Sequence, residues 1–152
     1  MRPPITHPIS ALVLSIASAA AVAAPPRPLV ANHPLIGQWT GTPTGNGCSE
    51  TYDVRANGTT LVTSGDEVTE SAIDVGDKPD AHGAYRWVNK VVKSNGKKDC
   101  GDAVTPIGDV VTIYIRFDPT GDKMAICVDA ETKQCVGPYL RVRPKGEGST
   151  RL

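Results

Sequence analysis

From Leu35 to Arg143 apolar and polar residues alternate in short runs broken by Gly, Pro, Asn and Asp. That is the period-two pattern of half-buried strands, and no stretch carries the wider spacing of an amphipathic helix. Leu35-Ile36-Gly37-Gln38-Trp39-Thr40-Gly41 opens the series. Residues 48–55 follow, with Glu50, Tyr52 and Val54 on one face, and Asn57-Gly58 then signals a hairpin, since both residues tolerate positive φ. Residues 59–64 return, rich in β-branched side chains, and 68–75 form a more polar strand near a rim. Residues 84–93 place Tyr85, Trp87 and Val91 together, and 94–108 make a long polar connection holding Cys100. Residues 110–117 alternate most clearly, with Val111, Ile113, Ile115 and Phe117 on one face. After the turn Asp118-Pro119-Thr120-Gly121-Asp122, residues 123–128 put Met124, Ile126 and Val128 inward and Cys127 outward; residues 138–143 finish the set.

Eight strands joined mostly by tight turns predict an all-β, antiparallel up-and-down meander, and closure into a barrel removes both exposed edges. A two-sheet β-sandwich is the alternative. The predicted interior is Trp39, Tyr52, Val54, Leu61, Tyr85, Trp87, Val91, Ile113, Ile115, Phe117, Met124, Ile126 and Leu140.

The segments outside this domain differ in composition. Residues 11–24 form an uncharged, Ala-rich run, and Ala21-Val22-Ala23 has the small-x-small form of a cleavage site, so 1–23 is expected to be a signal peptide. The run is too short for a stable membrane span. Residues 24–34 contain four prolines and predict an extended arm, either a flexible leader or a segment that reaches into a partner protein. Residues 144–152 are polar and predict a disordered tail. The 16 basic and 16 acidic side chains balance, which argues against nucleic acid as a partner.

All four cysteines (Cys48, Cys100, Cys127, Cys135) lie beyond the cleavage point, and an even count in an exported chain reads as two disulfides. Of three possible pairings Cys127–Cys135 is favoured, because a short loop between neighbouring strands keeps the two close; Cys48–Cys100 is then left over. Export to the periplasm or the medium is the expected localisation.

Gly37-x-Trp39 at the start of the first strand, followed by a meander, resembles the lipocalin and wider calycin barrels. The resemblance implies that Trp39 caps the closed end and that an Arg near the end of the last strand packs across its indole; Arg141 and Arg143 stand there. Unlike typical lipocalins, the chain shows no flanking helix and few aromatic residues. It also resembles exported proteobacterial proteins of lipocalin-like type, and the bacterial alkaline protease inhibitor family, where an N-terminal segment enters the protease cleft as residues 24–34 could.

Tyr52, Tyr85, Trp87, Ile113 and Ile115 are the candidate ligand-binding residues, being large inward positions that can border a cavity. His82, in a loop between Ala81 and Gly83, has no nucleophile or base in a recognisable motif beside it, and no enzyme is expected. Asp74, Asp77 and Asp80, with Glu67 and Glu70, fit no calcium loop and read as solvated surface. Lys90, Lys93, Lys97 and Lys98 read as a charged strand end and loop. No cofactor, metal or membrane insertion is expected. The chain is read as a monomer that binds a small apolar or amphipathic molecule, with a secreted protein, such as a protease met by the arm, as the alternative partner.

Overall fold

Strands form where the alternation places them: β1 (Gly37–Gly41), β2 (Glu50–Arg55), β3 (Thr59–Ser64), β4 (Glu67–Val75), β5 (Tyr85–Ser94), β6 (Val110–Phe117), β7 (Lys123–Cys127) and β8 (Cys135–Val142). The computed structural model describes residues 25–143. The expected signal peptide and the tail 144–152 lie outside the described residues. Each strand pairs antiparallel with the next, and β1 also pairs with β8 through Trp39 opposite Arg141, closing an eight-stranded, calycin-like barrel. Among the described residues there is no helix long and apolar enough to cross a membrane.

Closure fixes which side chains face inward, because residues paired across a ladder share a face. Val54, Tyr52 and Glu50 stand opposite Thr60, Val62 and Ser64. The inner face of β3 is therefore Thr60-Val62-Ser64, and Leu61, expected inside, points outward opposite Asp53. Likewise the pairing of Trp39 with Arg141 puts Arg141 and Tyr139 inside and turns the expected core residue Leu140 out, where it is 48% exposed. At β7 Met124 and Ile126 are inside as expected, and Cys127 lies on the outer face opposite Tyr114, covered although it faces outward, whereas Val128, expected inside, is 66% exposed. The register slips between Met124 and Ile126, and β7 ends at Cys127, so Val128 already belongs to the following turn.

The floor of the barrel is built on Trp39, which has no exposed surface and donates from Nε1 to Leu35 O at 2.9 Å. The Arg141 guanidinium lies 4.1 Å from the indole centroid. It donates to Pro34 O at 2.6 Å, Ile36 O at 3.0 Å and Gly121 O at 3.2 Å, joining the chain before β1, the β6–β7 turn and β8. Gly37 adopts φ +126°, and a Cβ there would meet Arg141 Nη1 at 3.1 Å, which explains the glycine two residues before the tryptophan. Arg143, the other candidate for the indole, instead donates to both carboxylate oxygens of Asp122.

Residues 25–34 do not hang free. Leu29 packs on the core and donates its N–H to Ala56 O, while Arg27 reaches Val75 O, Asp74 and Asp77. The ion pairs are half exposed and contribute little; the docked backbone and Leu29 carry the contact. Gly58 makes room for it, since a side chain there would strike the Arg27 backbone. Buried His33 completes the floor, with Nε2 3.1 Å from Gly76 O, Nδ1 accepting from Leu35 N, and its ring against Tyr85.

Both disulfides sit at the opposite end. Cys127–Cys135 closes the β7–β8 turn, and Cys48–Cys100 ties the β1–β2 loop to the β5–β6 loop. Two structural disulfides mark an oxidising, non-cytoplasmic setting.

Two stability outcomes follow from these ties. Arg141→Ala lowers the free energy of unfolding by about 2–4 kcal/mol, through lost charged hydrogen bonds and the indole contact, and Arg141→Lys recovers only part of it; urea denaturation checks both. Paired Cys→Ser exchange at Cys48 and Cys100, which span 52 residues, costs about 4 kcal/mol. The same exchange at Cys127 and Cys135, 8 residues apart, costs about 2.5 kcal/mol on loop-closure entropy, read from the thermal midpoints under oxidising conditions.

Candidate functional site

Side chains inside the barrel change character from floor to mouth. Lowest lie Trp39, Phe117 and Tyr85, with ring centroids 5.5 Å and 5.7 Å apart along the chain of contacts. Above them Tyr52 stands edge-on to Trp87 at 6.1 Å and to Tyr139 at 5.4 Å, a second aromatic layer. Above that the interior turns polar: Glu50 from β2, Ser64 from β3, Glu67, Thr69 and Ser71 from β4, and Asn89 from β5. The sequence reason is simple. Counting back by twos from the buried Val75 and Ile73 brings Ser71, Thr69 and Glu67 onto the same inner face.

Between the aromatic layer and the mouth is a cavity of about 300 Å³. Tyr52, Trp87, Ile113 and Ile126 form its lower wall, Val62, Thr69, Asn89 and Val91 its sides, and Glu50, Ser64 and Glu67 its upper wall. Asp99, Thr105 and Asp109 of the long β5–β6 loop, with Val111, form the rim. A second pocket of about 320 Å³ adjoins it beneath Pro43 and Thr44 and shares Glu50, Tyr52, Asp99 and Ile126. A further depression, about 480 Å³, lies over the irregular β7–β8 pairing and contains none of the candidate ligand residues.

Three of the five candidate ligand residues, Tyr52, Trp87 and Ile113, are brought together on this cavity. Tyr85 and Ile115 are not. They pair with each other one step below Trp87 and Ile113, within the floor, where Ile115 has no exposed surface. Glu50, Ser64, Glu67 and Asn89 line the cavity as well, none of them among the expected site residues. Glu67, expected at the solvated surface, is 5% exposed.

The polar groups form an ordered set. Glu50 Oε1 accepts from Ser64 Oγ at 2.8 Å; its Oε2 accepts from Tyr139 OH at 2.7 Å and Tyr52 OH at 3.3 Å. Ser64 Oγ in turn accepts from Cys100 N, and Glu67 Oε1 accepts from Thr105 N at 2.8 Å. Two inward side chains thus pin the long loop over the mouth, beside the Cys48–Cys100 bond. Burial, and then the Glu50 charge, push the Tyr52 phenol well above its ordinary range. The Tyr139 phenol is raised by burial and by its neighbours Tyr52 and Glu50.

Some buried atoms have no partner. Trp87, 1% exposed, has an unpaired Nε1, and Asn89 Oδ1 is unpaired while its Nδ2 donates to Ser71 Oγ at 3.0 Å. Thr60 Oγ1 is a third. Among the described residues no cation lies within 4 Å of the Glu50 or Glu67 carboxylate, although six ion pairs form elsewhere. No group of His, Cys, Asp and Glu among the described residues could hold a metal ion. His82 lies exposed in the β4–β5 loop, its N–H bonded to Asp80. Lys93 and Lys98, of the basic run, pair with Glu70 and Asp102.

No family model, curated protein or solved structure gives a significant match to the chain.

The raised phenols set a pH dependence. Above about pH 10 an unfolded tyrosine gives up its proton, whereas folded Tyr52 and Tyr139 keep theirs. The native state then binds more protons than the unfolded one, so stability is full below about pH 10 and falls as pH rises beyond it. Tyrosinate absorbance should show these two phenols ionising only as the fold is lost, and Tyr52→Phe and Tyr139→Phe should each remove part of that late step.

Proposed function

We propose that this protein is an exported, lipocalin-like barrel, periplasmic or secreted, that acts as a monomer by binding one small amphipathic molecule, without catalysis. The single observation that carries the reading is the cavity between the aromatic layer and the mouth. It joins apolar walls to a few convergent polar groups, the composition expected of a small-molecule site, and its size suits a compact ligand.

The arm gives less support to a protease-inhibitor role. Residues 25–34 lie against the floor, with Leu29, Arg27 and His33 engaged by the barrel, rather than projecting toward a partner.

Native mass spectrometry on protein recovered from its own oxidising compartment should show a small-molecule adduct that leaves on denaturation. Val62→Trp, which fills the cavity at an overpacking cost of about 1–3 kcal/mol, should abolish the adduct while circular dichroism stays that of the barrel. A bare native mass, or an adduct kept by the folded Val62→Trp variant, would refute binding at this place.

A further inference from the structure

Resting on the ligand-binding reading above, we infer that the ligand is a cation: a compact amine with an apolar or aromatic body. Glu67 is 5% exposed and inside the barrel, and among the described residues its carboxylate has one donor, the neutral N–H of Thr105. Glu50 is held by three neutral hydroxyl contacts. The two stand on either side of Ser64, which pairs with Glu50 across one ladder and with Glu67 across the next. Two carboxylates converge on the upper wall, and the rim adds Asp99 and Asp109. A carboxylate taken out of water without a counter-charge is unfavourable, and an ammonium group placed between Glu50 and Glu67 removes that cost.

Below the carboxylates Tyr52, Trp87 and Ile113 close the cavity with apolar side chains. The layering therefore orients the ligand: its apolar body enters first and lies over Tyr52, Trp87 and Ile113, and the ammonium stays level with Glu50 and Glu67. Neutral and anionic molecules of the same shape would leave the carboxylates uncompensated or repelled.

Three isosteric probes test this: tyramine (cation), tyrosol (neutral) and para-hydroxyphenylacetate (anion), titrated at millimolar concentration into the full exported chain. The two tryptophans give two indole N–H resonances, one from Trp39, bonded to Leu35 O, and one from Trp87. Tyramine should shift the Trp87 resonance and leave that of Trp39 in place. It should bind about tenfold or more tighter than tyrosol, as a charge-assisted hydrogen bond demands, with the anion weakest. Glu67→Gln keeps an acceptor for Thr105 N while removing the charge, and should reduce tyramine to the level at which the same variant binds tyrosol, with an unchanged Trp39 indole resonance certifying that the barrel persists. Tyrosol or the anion binding as well as tyramine, or a preference unchanged in Glu67→Gln, overturns the cation assignment and leaves the ligand-binding reading standing. A Trp87 resonance unmoved by all three probes overturns both.

Discussion

The barrel depends on the contact between Arg141 and Trp39. One guanidinium covers the indole and gathers the carbonyls of Pro34, Ile36 and Gly121, so the chain before β1 and the β6–β7 turn are both tied to β8 through a single side chain. A planar group with five donors can do this; a lysine ammonium cannot both stack and fan its donors across that span. The contact also sits at the seam, since Trp39 and Arg141 are partners in the β1–β8 ladder that turns an open meander into a ring. Closure and flooring are one event. Leu35, held by its own carbonyl to the indole, and the docked residues 25–34 then cover what remains of that end.

A sealed floor leaves the opposite half free to be unlike a core. The aromatic layer of Tyr52, Trp87 and Tyr139 separates Trp39 and Phe117 below from Glu50, Ser64 and Glu67 above. Polar groups in a barrel interior are unfavourable unless satisfied, and most of these are bonded to one another or to the long β5–β6 loop. Ser64 and Glu67 hold Cys100 and Thr105 by their backbone N–H groups, so the lining of the cavity also positions its cover. The same residues that make the mouth polar thereby make it ordered.

Much of this was legible in the chain. Asn57-Gly58 and Asp118-Pro119-Thr120-Gly121-Asp122 set two turns by their own conformational limits, and the alternation of Val110–Phe117 reads directly as β6. The Cys127–Cys135 pair followed from the shortness of its loop, with Cys48–Cys100 as the remainder. Gly37-x-Trp39 was readable, and the resemblance it carries left Arg141 and Arg143 as partners for the indole; the β1–β8 register selects Arg141. What hydropathy misjudged was the face of a residue whose polarity did not match its side. Leu61 and Leu140 were placed inside because they are leucines, and Glu67 outside because it is a glutamate; ladder pairing with Asp53, the neighbour relation to Arg141 and parity with Ile73 decide otherwise. Tyr85 and Ile115 differ from Trp87 and Ile113 only in depth, a coordinate that alternation does not carry. Parity counted from the surest core residues would have found the acidic upper wall.

The seam between β1 and β8 bears on when the structure can exist at all. Strand β1 is among the first parts of the domain to be made and β8 the last, and neither has any other way to complete its hydrogen bonds on the seam side. Contacts between distant parts of a chain are slow to form and arrive late. A chain made from its N-terminus therefore remains an unclosed meander, unable to seal around Trp39 until Arg141 has been added. The latch that makes the folded barrel durable is the same feature that holds closure back until the last strand is in place.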